Sequence, residues 1–117
     1  MKSLYSRCLK YNYKHKNKAT SEYSKITICS KFIIYILPTY QDDRLLDVKY
    51  ECIGSILHNV YLDILLDECI GKTKNEIVSI IRNISSSELE YIVEINKYDG
   101  FRIYLDSLVN KLINILR

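Results

Sequence analysis

The chain has no tryptophan, one proline and only three glycines in 117 residues. So few breakers exclude a loop-rich design and favour long regular elements, and the abundance of Ile, Leu and Lys points to helices. Cys8, Cys29, Cys52 and Cys69 contain no Cys-x-x-Cys pair and no zinc-ligand spacing. The last three fall in apolar periodic segments, where a free cysteine behaves as a small hydrophobe. Without a disulfide framework, a reducing intracellular compartment is expected. No apolar run is long enough to cross a bilayer, and none has the form of a secretory leader, so no membrane partner is expected.

Signatures of chemistry are missing as well. His58 is the only histidine beyond the N-terminal region, and there is no Ser/His/Asp set, phosphate loop or dinucleotide fingerprint. Asp63 and Asp67 lie one turn apart but have no further ligand beside them, so they read as a solvated helix face. Gly71-Lys72-Thr73 lacks a phosphate loop's first glycine, because Leu66 occupies that place. The sequence therefore predicts a binding protein and not an enzyme, with no cofactor, no metal and no small-molecule substrate.

Charge and periodicity are what the chain does have. Residues 1–25 carry seven basic side chains against Glu22 alone, a balance of +6, so the remainder sums to −3 within the overall +3. Residues 1–23 are expected to form a flexible basic arm and residues 24–117 one helical domain. An arm of that charge suits a polyanion, most simply nucleic acid. "SKITICSKFIIYILP" (24–38) places Cys29, Phe32, Ile33 and Ile36 on one helical face, and its β-branched content also permits a buried strand.

From about residue 43 to 70, Val48, Cys52, Ile56, Val60 and Ile64 recur every fourth residue. Ile53, Leu57, Tyr61, Leu65 and Cys69 form the adjacent row, and together they predict one long central helix that contains Gly54 and ends at Gly71. Glu76 to Ile81 allows a short helix turn or an extension beyond the glycine, so residues 72–84 are open between an extra helix and a long loop. Ser85 three residues before Glu88 gives a capping pattern ahead of Leu89, Ile92 and Val93. Gly100 is expected to end that helix in the left-handed conformation. Phe101, Tyr104, Leu105, Leu108, Val109, Leu112 and Ile115 predict a final helix.

Short helix, long helix, short helix, with a basic arm in front, resembles a histone fold. "DVKYECIGSILHNVYLDIL" (47–65), through Asp47, Lys49, Glu51 and Cys52, is similar to the long-helix start of its transcription-factor subclass. That subclass holds the B subunit of the CCAAT-binding factor and the beta subunit of the TBP-binding negative cofactor. Gly100, Phe101, Tyr104 and Leu108 resemble the subclass's Gly-Phe-x-x-Tyr-x-x-x-Leu ending. The resemblance implies an all-α, histone-fold-like subunit in the nucleus. It would pair with another histone fold or with itself and bind duplex DNA in transcription or chromatin regulation. Its DNA contacts would be Lys2, Arg7, Lys10, Lys14, Lys16, Lys18 and Lys25 in the arm, with Thr39, Arg82 and Asn83 in the paired loops. Its partner interface would hold Cys52, Ile53, Ile56, Leu57, Val60, Tyr61, Ile64, Phe101 and Tyr104. The alternative is a compact Bcl-2-like or death-fold bundle of viral type that receives a host protein's amphipathic helix in a groove.

Overall fold

The structure, a computed structural model, describes residues 4–82 and 99–116. A three-stranded antiparallel sheet stands where helices were expected. β1 (Ser24–Cys29), β2 (Phe32–Gln41) and β3 (Arg44–Ile53) follow one another in sequence and in space. The described helices are α1 (Leu4–Leu9), α2 (Ile56–Cys69), α3 (Lys74–Arg82) and α4 (Asp99–Leu116). The expected all-α class is thereby overturned.

The strands form because their apolar residues alternate. Ile34 in β2 faces Ile26 on one side and Cys52 on the other, and Ile36 faces Tyr50. All of these side chains are buried, whereas Lys25, Thr27, Lys49 and Ile53 lie on the opposite, open face. Ser30-Lys31 closes the first hairpin and Asp42-Asp43 the second. Asp42 and Asp43 have φ of 54° and 64°, the left-handed pair that matches a hairpin's natural twist. Pro38 does not end its element. It lies inside β2 opposite Val48, beyond the point where β1 stops at Ser24, so its missing N–H faces no neighbouring strand.

The expected 43–70 helix is thus two elements. Its first row fits because a spacing of four is two strand periods as well as about one helical turn. The register slips between Thr39 and Tyr40, which leaves Leu46 as the extra residue in β3. That bulge lets Leu45 and Val48 both reach the core although they are three apart. Gly54 and Ser55 then turn the chain into α2, where Ser55 is the N-cap.

α2 is short but wrapped on nearly every side. Asn59 to Leu66 are all buried, against β3, α1 and α3. Gly71, at φ 81°, ends the passage out of α2 as its sequence position suggested. The strand-like segment after it is tied to β3, with the Leu45 N–H donating to Lys72 O at 2.9 Å and the Gly71 N–H to Leu45 O at 2.7 Å. Thr73 caps α3: its hydroxyl accepts from the Glu76 N–H, and its own N–H and hydroxyl donate to the Glu76 carboxylate. Those bonds hold the Glu76 carboxyl below its ordinary value. α4 lays Leu108, Leu112 and Leu116 into the core and packs against β1 and α3. Gly100 lies within the first turn of α4. The capping pattern at Ser85 and the short apolar face after it fall outside the described residues.

Residues 10–20 cross the body as a strap. His15 and Asn17 exchange backbone hydrogen bonds with Tyr50, at 3.1 and 2.7 Å, so the strap runs beside β3. α1, ahead of it, buries Cys8 against α2.

Candidate functional site

Two arrangements of polar side chains stand out. The first lies beneath the strap. Asp63, on α2, is completely buried. Its Oδ2 accepts from the Tyr11 hydroxyl at 2.7 Å and the Lys14 N–H at 3.1 Å; its Oδ1 accepts from the His15 N–H and the Tyr50 hydroxyl, both at 3.0 Å. Four donors fill the carboxylate's acceptor positions, which is what makes a buried acid tolerable. Burial, with Asp63 alongside, pushes the Tyr11 and Tyr50 hydroxyls far above the usual range, so both stay protonated donors. One turn on, Asp67 pairs with His15 at 2.9 Å and Lys14 at 3.3 Å. The pair read from sequence as a solvated face is in fact a clamp for the N-terminal strap.

The second arrangement is open. A cleft of about 830 Å³ sits where the β1–β2 turn meets the start of α2, with Cys29, Lys31, Phe32, Gly54, Ser55 and His58 in its walls. The His58 ring stacks on Phe32 with centroids 4.0 Å apart and planes 5° from parallel. The His58 N–H donates to Ser55 Oγ, and the Ser55 N–H donates to His58 Nδ1, each at 3.2 Å. A side chain at position 54 would bring a Cβ to 3.0 Å from His58 Nδ1, a tight contact to which the ring would have to yield by a few tenths of an ångström. Burial lowers the His58 pKa, which keeps the ring neutral. With Nδ1 accepting, the neutral ring's proton is assigned to Nε2.

Cys29 is the accessible thiol of the four. Cys8, Cys52 and Cys69 are buried, while Cys29 is only partly covered. Burial pushes the Cys52 thiol up to about 12 against the pull of Lys16, and that of Cys69 to about 12 with help from the Glu68 charge. Buried and protonated, these two thiols are inert.

The residues singled out from sequence are scattered. Lys10, Lys14, Lys16 and Lys18 lie along the strap, where Lys14 faces Asp67 and Lys16 stands over the Tyr13 ring at 4.7 Å. Arg7 is in α1, Lys25 on β1, Thr39 on β2, and Arg82 closes α3. Cys52, Val60, Tyr61 and Ile64 are spent inside the chain's own core; Ile56 and Leu57 are half-buried and Ile53 is exposed. Phe101 and Tyr104 belong to α4, and Lys2 and Asn83 lie outside the described residues. Neither Cys29 nor His58 was read as functional. A partial signal was present: two β-branched runs flank Ser30-Lys31, as in a hairpin, with Cys29 at the end of the first.

No protein-family model and no curated protein matches this chain. Solved structures do. The chain is similar to a crystallised hypothetical protein at a TM-score of 0.69 and 15% identity, covering 97% of this chain and 96% of that one. It is also similar to a putative iron-sulfur cluster assembly scaffold protein for the SUF system from the thermophile Fervidobacterium islandicum AW-1. There the TM-score is 0.67 and the identity 16%, over 100% of this chain and 96% of that one. The likeness is one of fold. It overturns the histone-fold resemblance, and with it the expected transcriptional role, histone-fold partner and duplex DNA. The Bcl-2-like and death-fold alternative is equally unsupported. The expected absence of a small-molecule ligand is not supported either. The nuclear location has no support apart from that resemblance.

A cluster is a demanding guest. Iron–sulfur clusters are ordinarily held by about four thiolate or histidine ligands. The cleft offers the Cys29 thiol and an imidazole whose Nδ1 is already engaged. Among the described residues, no three His, Cys, Asp or Glu side chains come together as metal ligands. These residues do not fit a cluster held by one chain alone.

Proposed function

We propose that the chain works in iron–sulfur cluster assembly as a scaffold-fold protein that lends one thiol, Cys29, to a cargo shared with another protein. Iron, sulfide or a preformed cluster is that cargo, and the remaining ligands come from the second protein or from small thiols. The observation that carries the reading is the placement of Cys29. Of four thiols it alone is accessible, and it stands at an open cleft in a fold shared, end to end, with a cluster-assembly scaffold. His58 and Phe32 form a fixed wall there, and the exposed Lys31 ammonium in the same lining suits anionic cargo. In this reading the chain carries and does not catalyse.

Anaerobic incubation of the full chain with ferric and ferrous iron and sulfide, with and without glutathione, tests it. Iron and sulfide should be retained only when glutathione supplies the missing thiolates, and Cys29→Ser should abolish retention. A complete cluster held by the protein alone, or equal loading of the Cys29→Ser variant, would overturn the reading. Thiol labelling supplies the control: Cys29 should react rapidly in the native protein and Cys8, Cys52 and Cys69 only on unfolding.

A further inference from the structure

β1 is the outer strand of the sheet, and among the described residues no strand pairs with its far edge. The Thr27 carbonyl points off that edge, since it accepts a hydrogen bond from the Lys111 ammonium at 2.5 Å. Backbone groups alternate sides along a strand, so those of Lys25 point the same way. Beside them runs a groove of about 340 Å³ between β1 and the last turns of α4. Ile26 and the half-buried Ile115 form its apolar wall, and Lys25, Lys111 and Asn114 its rim; among the described residues no carboxylate lines it.

We propose that this groove receives an extended, acidic segment of a partner protein, which joins the sheet as a further strand beside β1. Edge backbone groups give such a segment its affinity, and the alternation of its side chains gives it specificity. Its inward side chains meet Ile26 and Ile115 and are apolar. Its outward side chains meet Lys25, whose ammonium lies 6.0 Å from the Tyr35 ring centroid on the open sheet face, and are carboxylates. Lys111 holds the Thr27 carbonyl until an N–H of the incoming segment takes it, and the released ammonium then pairs with an acid of that segment. A lysine across an open edge also serves to keep strands away. The two roles give opposite effects when the lysine is removed. This proposal is independent of the part played by Cys29.

The full chain is titrated with a short dye-labelled peptide of alternating valine and glutamate and followed by fluorescence anisotropy, with a valine–lysine peptide and heparin as comparisons. The acidic peptide should bind saturably, with amide shifts confined to residues 24–29 and 108–116. Lys25→Glu combined with Lys111→Glu should weaken it by about tenfold or more. Both side chains are exposed, so circular dichroism and the thermal midpoint should not change. Thr27→Pro, which removes an off-edge N–H, should weaken binding in the same way. Absence of binding, equal affinity in the double variant, or heparin competing as well as the peptide would overturn the proposal. So would tighter binding or self-association of Lys111→Ala, which would make Lys111 a guard of the edge.

Discussion

At the scale of single residues, Asp63 joins four hydrogen bonds in a place from which water is excluded, and three of its donors belong to the strap. Asp63→Ala removes the acceptor of the Tyr11 hydroxyl and of two backbone N–H groups and leaves the Tyr50 hydroxyl only the Asn59 carbonyl at 3.3 Å. The expected loss is about 3–5 kcal/mol by urea unfolding; a loss under about 1 kcal/mol would show that the strap finds other partners. Asp67 behaves differently. Burial opposes its charge, but the hydrogen bonds from His15 and Lys14 outweigh that and hold its carboxyl below the ordinary 3.8. A carboxyl depressed in the folded state stabilises above its unfolded value, and that stability is lost as pH falls through the folded value. Its side chain is 38% exposed, so solvent screening keeps the effect small. Asp67→Asn should melt lower than the parent at neutral pH and match it by about pH 2. A gap that persists in acid would mean lost packing, not lost charge. The composition around Asp63 held the clue to its burial. "VYLDILL" (60–66) is apolar around the whole helix, and a helix apolar on every side is a buried one.

Elements were legible where the chain had only one period to offer. Gly71 as a helix end and the final helix with Leu108 and Leu112 on its core face read correctly, while residues 72–84, left open between a helix and a loop, hold α3. β3 did not, although "DVKYEC" (47–52) alternates polar and apolar at each step. The every-fourth row from Val48 to Ile64 runs through a strand and a helix and fits both, so length alone tipped the reading toward one helix. The cleft was hidden for the same reason: with 24–38 taken as a helix, Cys29 has no hairpin to stand on and no reason to meet His58. The hairpin turn at Asp42-Asp43 makes the strand assignment testable by stability. Both residues sit at positive φ, so Asp43→Gly should stabilise by roughly 0.5–1 kcal/mol. In a helix the same change should cost about that much. Gly71→Ala is the mirror case. With nothing within 4 Å of the added methyl and φ at 81°, it should cost roughly 1 kcal/mol through the backbone alone.

For the whole molecule, the core is built from both layers of one chain: Ile34 and Ile36 from the sheet, Leu62 and Leu65 from α2, Leu112 from α4. A histone fold leaves such a core to be completed by a partner. This chain should therefore unfold in one cooperative step whose thermal midpoint is independent of protein concentration. A midpoint that climbs with concentration would show that the fold depends on association. The strap adds a constraint of a different kind, in the order of synthesis. Tyr11 meets Asp63 across 52 residues of chain. At roughly 5–20 residues per second, about three to ten seconds separate the making of the one from the making of the other. During that interval α1, Tyr11 and Tyr13 have no α2 to lie on, and they must wait outside the ribosome for their seat to be made.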